Sequence, residues 1–428
     1  MRFFAAVFVL MPLVLFAQDD DWDDDAWGDD AWAEDERGLV FNGFVEAGFG
    51  TRLQSDPLIE TRNTLEEVRW RLETALTAGK VDLAFKGDAT WDGISDGFDG
   101  EVRELSAAFS PAGRLDFKIG RQTQTWGTGD LLFLNDLFPK DWVSFFAGRA
   151  DEYLKAPGNS VRMTLFSSAI NVDFSWSPRF EPDNTLTGER FSFFSPLAGE
   201  NVAPRPPLNA IEPDSDFSNG EFALRLFRTV KGREYAAYAY RGFFKQPTAL
   251  TDSLQATYAP MTSIGASLRQ PLGPGLFNAE VSWYLSTDDR DGDNPLLPNS
   301  QFRALVGYEW EAKPRFTVGL QYYLEATLDY DALLANSAFP EFEPDEYRHL
   351  LTNRLTYRSA RDTHTWSLFT FWSPSDQDAY LRPVYSYRHN DRISLTAGAN
   401  LFGGEQPHTF FSQLEDASNI YLRLRISY

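Results

Sequence analysis

Four histidines, His349, His364, His389 and His408, are the side chains best suited to proton transfer near neutral pH, and they fall in four separate segments. None has a serine, aspartate or other nucleophile motif beside it, so no enzymatic activity is expected. There is no cysteine, which removes thiolate catalysis, thiolate metal sites and disulfides together. The stretch "DDRDGDN" (288–294) has the acid density of a calcium loop. Its glycine sits fourth, however, and the twelfth residue counted from Asp289 is Ser300 rather than a glutamate. A solvated acidic loop is expected there, with opportunistic divalent binding at its tip as the alternative; no metal and no cofactor is implied. What remains is charge placed at every second residue. Glu46, Glu67, Glu73, Asp82 and Asp88, with Arg69, Arg71, Arg354, Arg382, Arg388, Arg423 and Arg425, fall on the polar phase of alternating segments. A wall with one wet, charged face can select ions and polar solutes without covalent chemistry.

Such a wall requires strands. "LVFNGFVEAGFG" sets Leu39, Phe41, Val45, Ala47 and Phe49 against Asn42, Glu46 and Gly48, a period of two. "VRWRLETAL" and "IYLRLRISY" repeat it. Eighteen strands are expected, starting near 38, 62, 79, 101, 114, 159, 169, 220, 233, 254, 276, 301, 315, 347, 362, 379, 391 and 419. Weak alternation over 254–270 and 362–373 leaves sixteen as an alternative. Tight turns such as "TAGK", "SPAGR", "VKGR" and "PLGPG" take turns with longer polar loops. Beyond residue 17 no run of about 18 apolar residues occurs, so no membrane helix is expected. The fold class that fits is all-β, a transmembrane antiparallel barrel over 38–428 with short turns on one side and long loops on the other. A soluble sandwich would have to bury an apolar face on nearly every strand, in a chain well past the ~100–150 residues of a usual domain.

At the last strand the residues reach a resemblance. "NIYLRLRISY" ends in Tyr428, with Ile426, Leu424, Leu422 and Ile420 at alternating positions, and resembles the C-terminal assembly signal of bacterial outer-membrane barrels. The stretch "IGRQTQTWGTGDLLFLNDLFPKDW" (119–142) resembles a segment of porin-like families, several of them uncharacterised, and more loosely of the alginate-export channels. Maltoporin-like channels also have eighteen strands, but their aromatic run along the pore has no counterpart here. The resemblance implies an outer-membrane location in a diderm bacterium, contact with outer-membrane lipids and with the barrel assembly machinery through the last strand, and a porin-like channel.

Further lumen candidates by phase are Asp116, Asp173, Glu280, Glu309 and Glu325, with Arg162, Arg225, Arg241, Arg269 and Arg303. Strands 14, 16 and 18 are basic and strands 1 and 3 lean acidic, so the charged walls could polarise the lumen and favour anions. Alternatively, arginine paired with neighbouring acid simply stiffens the wall. The third long loop, 126–157, packs ten large apolar residues into 131–146 and cannot lie open to water. It is expected to fold into the barrel, with a short helix after Pro139 and with Trp126, Asp130, Asp136, Trp142, Phe145 and Phe146 as constriction residues; a rim or subunit contact is the alternative. The proline-rich fourth loop, 180–218, with "FSFF" at 191–194, is expected to be an outer lid or a coil.

The chain opens with a secretory signal over 1–17, a single Arg2 before an apolar run ending at Ala17. The formal charge is −23, and residues 19–36 hold eleven acids and no base, which speaks against a nucleic-acid partner. Within that acid run Trp22, Trp27 and Trp32 recur at five-residue spacing, matching no single face of a helix or strand. Segment 18–37 is expected to be disordered in the periplasm, either a solvated spacer or a docking peptide for a periplasmic partner. The expected function is diffusion of small hydrophilic solutes, anions among them. A transport or export component with a periplasmic partner and a structural, non-conducting surface barrel are the alternatives.

Overall fold

The computed structural model describes residues 39–428; the signal 1–17, the acidic segment 18–37 and Trp22, Trp27 and Trp32 lie outside the described residues. Eighteen strands form one sheet. The first seven are β1 (Val40–Arg52), β2 (Asn63–Ala78), β3 (Val81–Asp92), β4 (Gly97–Ala112), β5 (Leu115–Gln122), β6 (Gly158–Leu165) and β7 (Asn171–Ser177). After a long loop come β8 (Glu221–Val230), β9 (Arg233–Phe243), β10 (Pro260–Leu272), β11 (Gly275–Ser286), β12 (Gln301–Lys313) and β13 (Phe316–Thr327). The last are β14 (Tyr347–Arg358), β15 (His364–Ser373), β16 (Asp378–Arg388), β17 (Ile393–Gly404) and β18 (Asn419–Ser427).

Each strand pairs antiparallel with the next, and β18 returns to β1 in the register Phe44↔Ser427 to Arg52↔Asn419. The sheet therefore closes, and no edge is left with unpaired backbone groups, as a lipid surround demands. At the seam Tyr428 and Gly43 exchange backbone hydrogen bonds of 3.0 and 3.2 Å. The Tyr428 hydroxyl donates to the Arg71 carbonyl at 2.8 Å. A Cβ on Gly43 would run into that same carbonyl and hydroxyl, so the seam needs glycine there.

The period of two becomes two surfaces. On β18 Ile420, Leu422, Leu424 and Ile426 face outward and are exposed, while Asn419, Tyr421 and Arg423 point inward and are buried. Val68, Trp70, Val306, Leu320 and Trp372 continue the outer apolar skin on other strands. In water this skin would cost about 25 cal/mol per Å², and a bilayer removes that cost.

The expected strand starts fall within four residues of those observed, except at 254. There the chain turns at Leu254, whose φ is 59°, and Ala256–Thr257 pair with Ala249–Leu250 in a loop hairpin, so β10 begins at Pro260. The count is eighteen, not sixteen. Arg241 is corrected too: on β9 the inward positions hold Ala236, Tyr238 and Tyr240, all buried, and Arg241 is exposed on the other face. Besides helix α1 (Trp142–Ala147) in the third long loop, a second helix, α2 (Tyr330–Asn336), occupies the loop after β13 and was not expected.

Because Val306 lies mid-strand on the lipid face, Val306→Arg should cost about 2–4 kcal/mol in urea unfolding from bilayers. The same residue placed at inward-facing Thr317 should leave the midpoint unmoved; equal losses at both would contradict the assigned faces.

Candidate functional site

The third long loop, L3 (123–157), folds into the lumen and packs on its inner wall. Leu134, Phe145, Phe146 and Leu154 are buried in one cluster with Leu305, Leu350, Phe369, Tyr380, Phe402 and Tyr421 from the inner wall. Toward the opposite wall, Trp126 packs with Phe138 and with Tyr238 of β9, ring centroids 5.0 and 6.2 Å apart. The helix expected after Pro139 is α1, whose N-cap Asp141 accepts from the Ser144 N–H at 2.7 Å and whose end is closed by Gly148 in the left-handed region.

Irregular backbone at membrane depth must find hydrogen bonds in the wall. Glu280 on β11 accepts from the N–H groups of Thr128 and Gly129 and from the Asn135 amide. Gln321 on β13 accepts the Asp130 N–H at 2.8 Å and donates to the Asp130 carbonyl at 2.9 Å. Tyr284 donates to the Leu134 carbonyl at 2.6 Å. Asn400 of β17 and Asn419 of β18 both donate to the Phe146 carbonyl, at 2.9 and 3.1 Å. Arg103 on β4 serves the carbonyls of Glu152 and Lys155 at 3.1 and 2.8 Å.

Charge supplies a second set of fastenings. Asp130 is held by Arg354 at 2.5 and 2.8 Å, Asp151 by Arg382 at 2.6 Å, and Glu152 by Arg71 at 2.5 Å and Arg425 at 3.3 Å. Arg149, from the loop, reaches Glu67 at 2.7 Å. Tyr153 is buried among three guanidinium groups, those of Arg69, Arg103 and Arg71, at 4.2, 4.7 and 5.0 Å from its ring centre. Its hydroxyl accepts from Arg71 at 2.7 Å.

The sequence candidates thus separate. Glu67, Arg69, Arg71 and Asp88 form one buried network, with Arg71–Asp88 at 2.7 Å and Arg69–Asp88 at 3.1 Å, and Glu46 carries Arg423 and Arg425 at 3.3 and 2.9 Å. Glu73 is half-exposed beside Lys86 at 3.3 Å. Asp82 sits at the turn end, accepting from Thr77, and Arg388 is exposed at the turn end of β16; neither joins the network around L3. Trp126 anchors L3 to the wall, Asp136 is buried against Lys140 at 2.9 Å, and Trp142 stacks on Phe146 while its Nε1 donates to Asp183 at 2.9 Å. Burial raises the Asp183 carboxyl above its usual range, against the nearby Lys140 ammonium and the hydrogen bonds from Trp142 and the Lys140 N–H. The fourth long loop, 178–220, covers L3 through Phe191, which is buried in the same cluster, and Arg190, bonded to the Thr64 carbonyl at 2.8 Å.

Gln321, Tyr284, Asn400, Asn419 and Tyr153 were missed. Their only signal is a single hydrogen-bonding side chain at an inward position or in the loop. The histidines meet aromatic partners: His349 with Tyr322, His364 with Tyr385, His389 with Tyr387, and His408 against Phe194 and Phe342. Asp289, in the acidic loop, spends its oxygens on the N–H groups of Asp293 and Asn294. No grouping of histidine and carboxylates that could hold a metal ion occurs among the described residues.

The fold of this closed barrel has solved counterparts. The fold is that of an outer-membrane β-barrel. The chain is similar to OccAB3 of Acinetobacter baumannii, at 11% identity and a TM-score of 0.51 over 91% of this chain and 99% of that one. It is equally similar to OccK11 (OpdR) of Pseudomonas aeruginosa, at 9% identity and 0.51 over 91% and 95%. OccD3 (OpdP) of the same organism gives 10% identity and 0.50 over 91% of each chain. No family model and no curated protein matches the sequence. In this chain the barrel holds L3 fastened to strands from both halves of the ring.

Glu280→Ala strips three donors of L3 of their shared acceptor, a loss of about 1–3 kcal/mol for each buried group left unpaired. Limited proteolysis of the variant should open new cleavage between 126 and 140; a wild-type digestion pattern would mean that Glu280 does not hold the loop.

Proposed function

We propose that this protein is an outer-membrane channel through which small hydrophilic solutes diffuse, its lumen narrowed by L3. The observation that carries the reading is the charged inner wall inside an apolar outer skin: Glu46, Arg69, Arg71, Asp88, Arg354, Arg382, Arg423 and Arg425 all point inward. An aqueous pathway needs such a lining. At the turn-side mouth, Arg358 and Arg388 on β14 and β16 have no ion-pair partner among the described residues. Asp82 and Asp116, across the ring on β3 and β5, are bonded only to the hydroxyls of Thr77 and Ser110. These separated charges polarise the mouth, and its basic side gives anions a favoured track. Single channels of the purified protein in planar bilayers should be ohmic and small, and deleting 130–150 should enlarge the conductance severalfold. Arg358→Ala with Arg388→Ala should move the reversal potential in a salt gradient toward cations. No conductance at all would favour a structural barrel, and conductance only after addition of a periplasmic fraction an export component.

We propose that the turn side, where β1 begins at Val40, faces the periplasm, that residues 18–37 belong to that compartment, and that the strand ending at Tyr428 engages the assembly machinery during insertion. Acid clusters with separated tryptophans suit a docking peptide that a basic partner or the arginine-bearing mouth receives, the tryptophans as anchors and the acids for steering. Replacing Trp22, Trp27 and Trp32 by serine should abolish capture of a periplasmic partner or change open-channel noise. A variant indistinguishable from wild type in both would make the segment a spacer.

A further inference from the structure

On the loop side of L3 lies a half-open cavity of about 360 Å³, within the ~300–1,000 Å³ range of small-molecule sites. Phe133, Trp142 and Phe146 of L3 make its floor, and Phe371, Phe410 and Phe411 part of its wall. Trp142 stands at the centre of this group, ring centroids 6.2 Å from Phe133, 6.1 Å from Phe146 and 6.2 Å from Phe410. Four cations also reach the cavity, and each already has an acid of the protein. Lys140 lies 2.9 Å from Asp136, Lys245 2.6 Å from Glu221, Arg303 3.1 Å from Glu325, and Arg348 2.6 Å from Asp376. Asp183 accepts from the Trp142 indole and the Lys140 N–H. An ionic ligand would have to displace one of these partners, whereas a flat apolar ring would meet aromatic faces and edges on several sides.

We propose that this cavity binds an uncharged aromatic small molecule, at a site separate from the charged lumen on the turn side. Because its floor is L3, a bound ring rests on the loop that narrows the channel. The proposal concerns binding and is tested without conductance. Full-length protein in lipid nanodiscs is equilibrated by dialysis at neutral pH with 2-naphthol or with 2-naphthoate, against empty nanodiscs of the same lipid. Saturable, stoichiometric uptake of 2-naphthol above the empty discs is expected, with 2-naphthoate binding more weakly. Phe133→Ala with Phe410→Ala should weaken 2-naphthol roughly tenfold or more, and lipid-facing Trp372→Ala should leave it unchanged. Folding of each variant is checked by heat-modifiable migration, and Phe410→Ser alone replaces the double variant if that fails to fold. Uptake no greater than by empty discs, equal uptake by wild type and a folded cavity variant, or naphthoate bound as tightly as naphthol would each overturn the proposal.

Discussion

The structure depends on one requirement: a loop carried into a barrel at membrane depth must find a hydrogen-bond partner for every backbone group it cannot pair with itself. Glu280, Gln321, Tyr284, Asn400, Asn419 and Arg103 meet that requirement, and they come from β11, β13, β17, β18 and β4. The wall is therefore a set of sockets as well as a lining. Loop position and wall composition cannot be changed independently, because each of these six side chains has a particular group of the loop opposite it.

The arginine-rich strands follow from the same arrangement. Read along the sequence, β14, β16 and β18 look like one positively charged side of a pore. In the fold, Arg354, Arg382 and Arg425 meet Asp130, Asp151 and Glu152, three acids of L3. Much of the basic wall is thus the complement of an acidic loop. Burying such pairs yields little net stability, since desolvation offsets the attraction, but leaving one partner alone is costly. Their contribution is to fix where the loop sits. The guanidinium fork suits this task, holding a carboxylate in two directions as Arg354 does at Asp130. Charges without such partners among the described residues, Arg358 and Arg388, lie toward the turn-side mouth.

Strands and turns were legible in the sequence because they are local. "VKGR" and "SPAGR" mark hairpins, and a lipid-facing residue at every second position gives the phase. The phase failed at Arg241, because β9 points Tyr238 and Tyr240 inward against Trp126, and an inward aromatic looks the same in sequence as an outward one. Helix α2 escaped because seven residues beginning "YDALLAN" carry no amphipathic repeat long enough to read. That L3 must be covered was legible from its ten apolar residues. What covers it was not: Asn400 lies 254 residues from Phe146 and Gln321 lies 191 from Asp130, and no local pattern links them.

L3 also has a sequence order that matters spatially. The stretch Leu131–Phe146 carries most of its large apolar residues and lines the loop-side cavity; Arg149, Asp151, Glu152 and Tyr153 then enter the charged network of β2, β3, β16 and β18. The aromatic cluster thus lies on the loop side of L3, edged by ion pairs, and the denser ionic network lies beyond it. Widening the passage by loosening L3 would therefore also blur the boundary between the two regions, since the same ten or so fastenings set the bore and keep aromatic and ionic surfaces apart.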